Sequence, residues 1–338
     1  MATLVTQIPT LTFPEELDSL EFSGTPSKTF LLDIIVNDYT IMSEIFSFVS
    51  SRVVLYDLAS LLRDFAKLPV NTVQIAIDGS VVATTSLLQC RLAIGAKAED
   101  FVQKRFLTQC DLHKDVIEYG IEYVSFYSET GTDTVKITLQ EITAANVITN
   151  HTVEKQLSQA PGIITLELNL AELVRKSRVT DIFSVIVEVG KRRIIYLWLV
   201  GPTPEYRQMT FVNSFGVKET VLFNEVSKNL KTNYSLAKIH GKLRNYNTTS
   251  TMEYTGYADA IEDSEAEVYQ DFCRASEIWR TEDNAPMALT NSKFEDPGTS
   301  EAVGNLKATW SESGEVPYYN PQLVPVKLFD ETFDFTFN

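Results

Sequence analysis

A single motif occurs twice in this chain, and the spacing of its copies restricts the fold more than any other feature. The first copy is Val53-Val54-Leu55-Tyr56-Asp57-Leu58-Ala59-Ser60-Leu61-Leu62-Arg63. The second is Ile164-Thr165-Leu166-Glu167-Leu168-Asn169-Leu170-Ala171-Glu172-Leu173-Val174-Arg175. Each reads as a strand running into one short helical turn, with Leu-Ala-x-Leu-Leu/Val-Arg at its heart. Each leads into an alternating strand that ends at a glycine. Leu58 matches Leu170 at a shift of 112 (170 − 58), and Gly79 matches Gly190 at a shift of 111 (190 − 79). An interval held to one residue over both landmarks predicts two copies of one β topology, near 30–95 and 135–200.

The alternation around these landmarks is that of half-buried strands. Val73, Ile75 and Ile77 point one way and Gln74, Ala76 and Asp78 the other, the period of two that a sheet imposes. Asp78-Gly79 is a hairpin signal. In the second block Val135, Ile137 and Leu139 alternate with Lys136, Thr138 and Gln140, and Phe183, Val185, Val187 and Val189 alternate with polar neighbours. The apolar runs 30–36 and 41–49 suit strands at a sandwich core. Residues 97–109 fit a short helix through Phe101, Val102, Phe106 and Leu107. Gly201-Pro202-Thr203-Pro204 marks a break. Further on, strands are expected at 209–212 and 220–223 around Asn213-Ser214-Phe215-Gly216, then at 234–243, 251–257 and 306–310. A helix is expected over 265–279, with Ser264 and Glu267 as a capping box and Val268, Tyr269, Phe272, Ser276 and Trp279 as its apolar stripe. Phe333, Phe335 and Phe337 alternate to the last residue, as a strand tucked into a sheet would.

The expected class is therefore mainly β: two tandem β-sandwich-like domains followed by a β-rich domain with one α-helix. The boundaries read as an N-terminal arm over 1–28, sandwich-like domains over 29–112 and 113–203, and a C-terminal domain over 204–338. The arm lacks sustained periodicity, yet Leu11, Phe13, Leu17, Leu20 and Phe22 supply anchors for a neighbouring surface.

Of 338 residues, 44% are hydrophobic, enough for sizeable cores, and the formal net charge is -16. Such acidity argues against nucleic acid, whose phosphates demand Lys and Arg, and against an anionic membrane surface. It also predicts mutual repulsion of free subunits, so that association strengthens as salt screens it. The start of the chain has no basic region or long apolar core, and no run of about 18 apolar residues occurs. Cys90, Cys110 and Cys273 are too widely spaced for a disulfide framework or a zinc site, and His113, His151 and His240 are isolated from one another. A Cys110–His113 dyad has short spacing and no supporting pattern. Gly190-Lys191 lacks the preceding glycine of a phosphate loop. Asp259, Glu262, Asp263, Glu265 and Glu267 lack the central glycine of a calcium loop, and the helix dipole accounts for acids at a helix start. No catalytic, cofactor-binding or metal residue is assigned, no cofactor is implied, and the chain reads as a non-enzyme.

At Phe211-Val212-Asn213-Ser214-Phe215-Gly216-Val217-Lys218-Glu219-Thr220-Val221-Leu222-Phe223 the sequence resembles a recurrent stretch in proteins of phages and prophages of Bacteroidetes. Those proteins place an aromatic, an Asn and a Gly before a strand ending in Phe. They follow it with a polar sheet and an acidic, aromatic helix, and their front halves carry a turn similar to Leu55-Tyr56-Asp57-Leu58. The resemblance implies a structural, tail-associated or portal-side virion protein, assembled in the host cytoplasm. Its partners would be copies of itself and other virion proteins. The alternatives are a receptor- or glycan-binding adhesin, which would present Tyr and Trp in a groove, and a cell-wall glycan hydrolase, which would need paired carboxylates in a cleft.

Overall fold

The computed structural model describes residues 2–92, 94–143, 145, 147–199, 207–239, 242–295, 304–313 and 326–327. The expected break at Gly201-Pro202-Thr203-Pro204 and the terminal Phe333, Phe335 and Phe337 lie outside them. The protein is mainly β, with two sandwich-like units followed by a third sheet.

The first unit contains β1 (Thr3–Leu4), β2 (Leu11–Thr12), β3 (Leu20–Ser23), β4 (Thr29–Val36), β5 (Tyr39–Ser47), β6 (Arg52–Leu55), α1 (Leu58–Phe65), β7 (Val70–Ile77) and β8 (Ser80–Leu88). A second helix, α2 (Ala98–Lys104), leads to the second unit. There follow β9 (His113–Val116), β10 (Ile121–Ser128), β11 (Thr132–Ile142), β12 (Ile148–Ser158), β13 (Gly162–Asn169), α3 (Leu170–Ser177), β14 (Ile182–Val189) and β15 (Arg192–Trp198). The five-stranded sheets run β5-β4-β7-β8-β2 and β12-β11-β14-β15-β9. In both, the last strand joins in parallel and every other neighbour is antiparallel. Opposite each lies a short sheet, in which β3 pairs with β6 and β10 pairs with β13. Strand by strand the two units share one order, so the duplicated motif does mark a duplicated topology.

This correspondence corrects the reading of residues 1–28. They are no arm reaching for a neighbour: β2 and β3 are the counterparts of β9 and β10. Leu11, Phe13, Leu17, Leu20 and Phe22 are all buried within their own chain. The Leu58 N–H donates to the Asp18 carbonyl at 3.2 Å and the Ala59 N–H to the Asp18 carboxylate at 3.2 Å, so the segment also caps α1. In the second unit the Leu170 N–H donates to the Gly120 carbonyl at 3.0 Å. There Asn169 adds its own cap, accepting from the Glu172 N–H. Short strands of four residues or fewer carry too little alternation to register as a pattern. Only the partner strands reveal them.

Each large sheet buries one face against the short sheet and helix of its unit. In β4, Phe30, Leu32, Ile34 and Val36 are buried and the residues between them are half-exposed, except Thr29, which is exposed. The run 41–49, expected in the core, mostly faces solvent as the edge strand β5. Asp78 and Gly79 close the β7–β8 hairpin with φ of 50° and 78°. That left-handed pair matches the twist of the flanking strands.

The third sheet contains β16 (Arg207–Val212), β17 (Lys218–Phe223), β18 (Glu225–Ile239), β19 (Lys242–Ile261), β20 (Ile278–Arg280), β21 (Ala285–Glu295) and β22 (Gly304–Glu312), with α4 (Asp263–Cys273) between β19 and β20. Its order is β17-β16-β20-β21-β22-β19-β18. A last strand, β23 (Val326–Lys327), returns to pair in parallel with β13. The expected helix over 265–279 is real but ends six residues early. Val268, Tyr269 and Phe272 are its buried face. Ile278 and Trp279 instead pair with Phe211 and Thr210 of β16, because sheet pairing outweighs helical propensity there. Ser264 does not cap the helix; Glu262 stands at that position, and the Ser264 hydroxyl is buried without a partner. Among its described residues the chain has four α-helices: α1 and α3 at the two motif copies, α2 within 97–109, and α4 as the single helix of the C-terminal region. A hydrophobic cluster runs without interruption from Phe106 to Trp310, so the second unit and the third sheet share one core.

Candidate functional site

The loop Asn213-Ser214-Phe215-Gly216 joins β16 to β17 and is buried where both units meet the third sheet. Phe215 packs between Phe13 and Phe101, its ring stacked on Phe101 at 5.4 Å and tilted toward Phe13 at 6.4 Å. The Asn213 amide donates to the Leu107 carbonyl at 2.9 Å and to the Glu219 carboxylate at 2.7 Å. Its oxygen accepts from the Phe215 N–H at 3.0 Å, which holds the turn closed. The Ser214 N–H donates to Asp271 of α4 at 2.6 Å, and the Arg91 N–H donates to the Ser214 carbonyl at 3.1 Å. Gly216 sits at φ 75°, and a Cβ there would stand 2.7 Å from the Gln89 side-chain oxygen.

Beside this loop lies an ionic cluster drawn from β9, β10, β16, β17 and α4. The Lys114 ammonium donates to Glu122 at 2.8 Å and to the Thr220 hydroxyl at 2.7 Å. The Thr220 hydroxyl and the Gln208 amide donate in turn to Glu122, at 2.6 and 2.7 Å. Glu219 accepts from Thr108 and Asn213. Burial opposes the charge on Lys114, but Glu122 and Glu219 beside it hold the ammonium protonated, with its pKa above the ordinary lysine value. Burial pushes Glu219 up to about 7 against the pull of Lys114, and pushes Glu265 up to about 8, with Asp115 adding to the effect. The cavity among Thr108, Lys114, Tyr196 and Glu219 holds about 10 Å³, space for one water. Such a sealed cluster admits no substrate. What it does chemically is join three segments of chain, in a manner sensitive to protonation.

The residues weighed for chemistry do not assemble into a site. The Cys110 thiol donates to the His113 carbonyl at 3.2 Å, not to its ring, and burial pushes that thiol up to about 12. The His113 ring contacts Glu262 at 2.6 Å. His151 contacts Glu141 at 2.9 Å. Cys90 is buried and also pushed up to about 12. Of the acidic run, Asp259, Glu262, Asp263 and Glu267 face solvent, whereas Glu265 turns inward and accepts from the Asp115 N–H at 3.1 Å. Among the described residues no three His, Cys, Asp or Glu converge as metal ligands, and no helix is long and apolar enough to cross a membrane.

Two surface features stand out. An open groove of about 510 Å³ lies between the β4–β5 hairpin and the end of α1, lined by Val36, Tyr39, Ile41, Phe65 and Leu68 among others. Tyr39 is 76% exposed and Ile45, on the same edge strand, 73%. The second feature is a β arm. β18 and β19 pair along their whole length, but β22 pairs with β19 only from Glu253 to Ile261. Residues 230–239 and 242–252 therefore project as a ribbon of two strands, about 33 Å long at the usual rise. No third strand lies beside that ribbon among the described residues. Leu230 and Leu236 on it are 63% and 58% exposed. The sequence reading divided this segment into separate strands and missed that they form one hairpin.

No protein-family model matches the chain, and no curated protein matches its sequence.

Proposed function

We propose that the chain is a structural subunit of a phage virion, packed in multiple copies in the tail or a portal-side assembly. The observation that carries this reading is the β arm. A ribbon of two strands is marginal by itself in water, and its open edges invite another chain. It springs from a body whose two units and third sheet are tied together by buried contacts, so the arm has a firm base from which to reach. The resemblance of residues 211–223 to phage proteins supports the same reading, and the loop within it anchors that body. On this view the chain works without catalysis, cofactor or metal. Its partners are copies of itself and other virion proteins, not nucleic acid or membrane, and assembly takes place in the host cytoplasm. The test is composition: peptides of this chain should occur at many copies per particle in purified virions, visible as a layer by electron microscopy. Its absence from purified particles would remove the proposal.

The groove beside Tyr39 and Phe65 favours a second reading, a receptor- or glycan-binding module. Titration with cell-surface glycans would detect it, and loss of binding in Tyr39→Ala would assign it to the groove. The groove lining contains no carboxylate, so the hydrolase reading gains no support there.

A further inference from the structure

Charge is distributed very unevenly between the arm and the rest of the chain. The projecting residues 230–252 contain Lys231, Lys238, Lys242 and Arg244 and no Asp or Glu, a charge of +4. The whole chain carries -16, which leaves -20, that is -16 less +4, on the rest of the sequence. The charges on the projecting ribbon are thus all basic, whereas the rest of the sequence is strongly acidic. Beyond the arm's root the balance reverses: Asp259, Glu262, Asp263 and Glu267, at the end of β19 and the start of α4, are exposed.

Resting on the assembly reading above, we propose that the arm docks on the acidic body of a second copy of this chain. The complementarity is internal to the molecule. Every copy offers a basic ribbon, and every copy offers an acidic surface to receive one. Contact between unlike surfaces is heterologous, so it propagates into a ring or a filament rather than stopping at a two-fold dimer. Leu230 and Leu236 add apolar area to a contact that charge orients. A basic β ribbon also suits nucleic acid, but there the -20 carried by the rest of the sequence would repel the phosphates that the arm attracts. Another copy is therefore the better-matched partner.

The proposal reverses a sign. Net repulsion alone predicts association that strengthens with salt; an arm drawn to an acidic body predicts association that weakens with it. Sedimentation velocity of the full-length wild-type chain at about 30 mM and about 500 mM salt reads this directly. Self-association at low salt that falls at least tenfold in affinity at high salt is the expected result. A variant carrying Lys238→Glu, Lys242→Glu and Arg244→Glu, at the arm's tip, should stay monomeric at both salts with an unchanged circular dichroism spectrum. Should that variant misfold, the neutral set Lys238→Gln, Lys242→Gln and Arg244→Gln replaces it, and the wild-type salt dependence needs no variant at all. Labelled duplex and single-stranded DNA, in parallel, should bind at least 100-fold more weakly than the chain binds itself. A monomer at low salt, association that grows with salt, equal association of the tip variants, or preferential DNA binding through the arm would each overturn the proposal. Assembly that does not need the arm would leave the virion reading standing and remove this one alone.

Discussion

Replacing Lys114 with Met tests the ionic cluster where the segments meet. Lys114 is 3% exposed, and its ammonium is the cation that contacts Glu122, with Glu219 close enough to feel its charge. Methionine fills a similar volume, so the packing loss is small and the electrostatic loss dominates. What remains is a carboxylate at Glu122 in a buried site, still accepting from Gln208 and Thr220 but with its countercharge gone. Removing one partner of a buried ion pair typically costs about 3–5 kcal/mol, because the other charge is left uncompensated. With an m-value of about 3 kcal/mol/M, the urea midpoint read by circular dichroism falls by roughly 1–1.7 M. Two controls isolate the cause. Glu219, which burial pushes up to about 7, is largely protonated at pH 5 and no longer draws on the ammonium there, so the loss should be smaller than at pH 8. Adding Glu122→Gln to Lys114→Met should recover at least half of the loss, a coupling that independent sites do not show. A loss below about 1 kcal/mol, or a double variant that loses the sum of the two singles, would refute the reasoning.

Glu219 and Glu265 titrate near 7 and 8 in the folded chain. Because these values lie above that of an unfolded carboxyl, the folded state binds more protons through this window, and stability should fall as pH rises from about 4.5 to 8, by at most roughly 3–4 kcal/mol per group. Glu265→Gln should flatten its share of that slope in a pH series of urea melts; an unchanged slope would count against the burial argument. Gly131→Ala should destabilise strongly, since the Cβ would stand 1.9 Å from the Gln159 carbonyl at φ 74°, whereas Gly79→Ala, with open space around it, should cost only ~1–2 kcal/mol from its positive φ. Equal midpoint shifts for the two would remove the steric account. Asn213→Ala deletes bonds to Leu107, Glu219 and the Phe215 N–H together and should lower stability by ~3 kcal/mol or more in the same melts; a loss under ~1 kcal/mol would show that the loop does not depend on it.

The sequence by itself determined the elements whose signals are local. The alternation of Val73, Ile75 and Ile77, the Asp78-Gly79 turn and the Leu-Ala-x-Leu helix starts are all encoded within a few residues, and they sufficed to identify the repeat. The helix over 263–273 was legible for the same reason. Its end was not, because Ile278 and Trp279 are held by β16, some 70 residues earlier in the chain. Short strands such as β2 and β3 were invisible for want of length, which is why residues 1–28 looked like an arm. The true arm was overlooked because its charge contrast emerges only once β18 and β19 are known to be one projecting hairpin. The junction lay furthest from local reading. Lys114 meets Thr220 across 106 positions and Asp115 meets Glu265 across 150. A lone Lys or Glu in sequence gives no sign of whether it will be solvated or sealed. Only the tertiary structure decides that, by removing the water and bringing the opposite charge within reach.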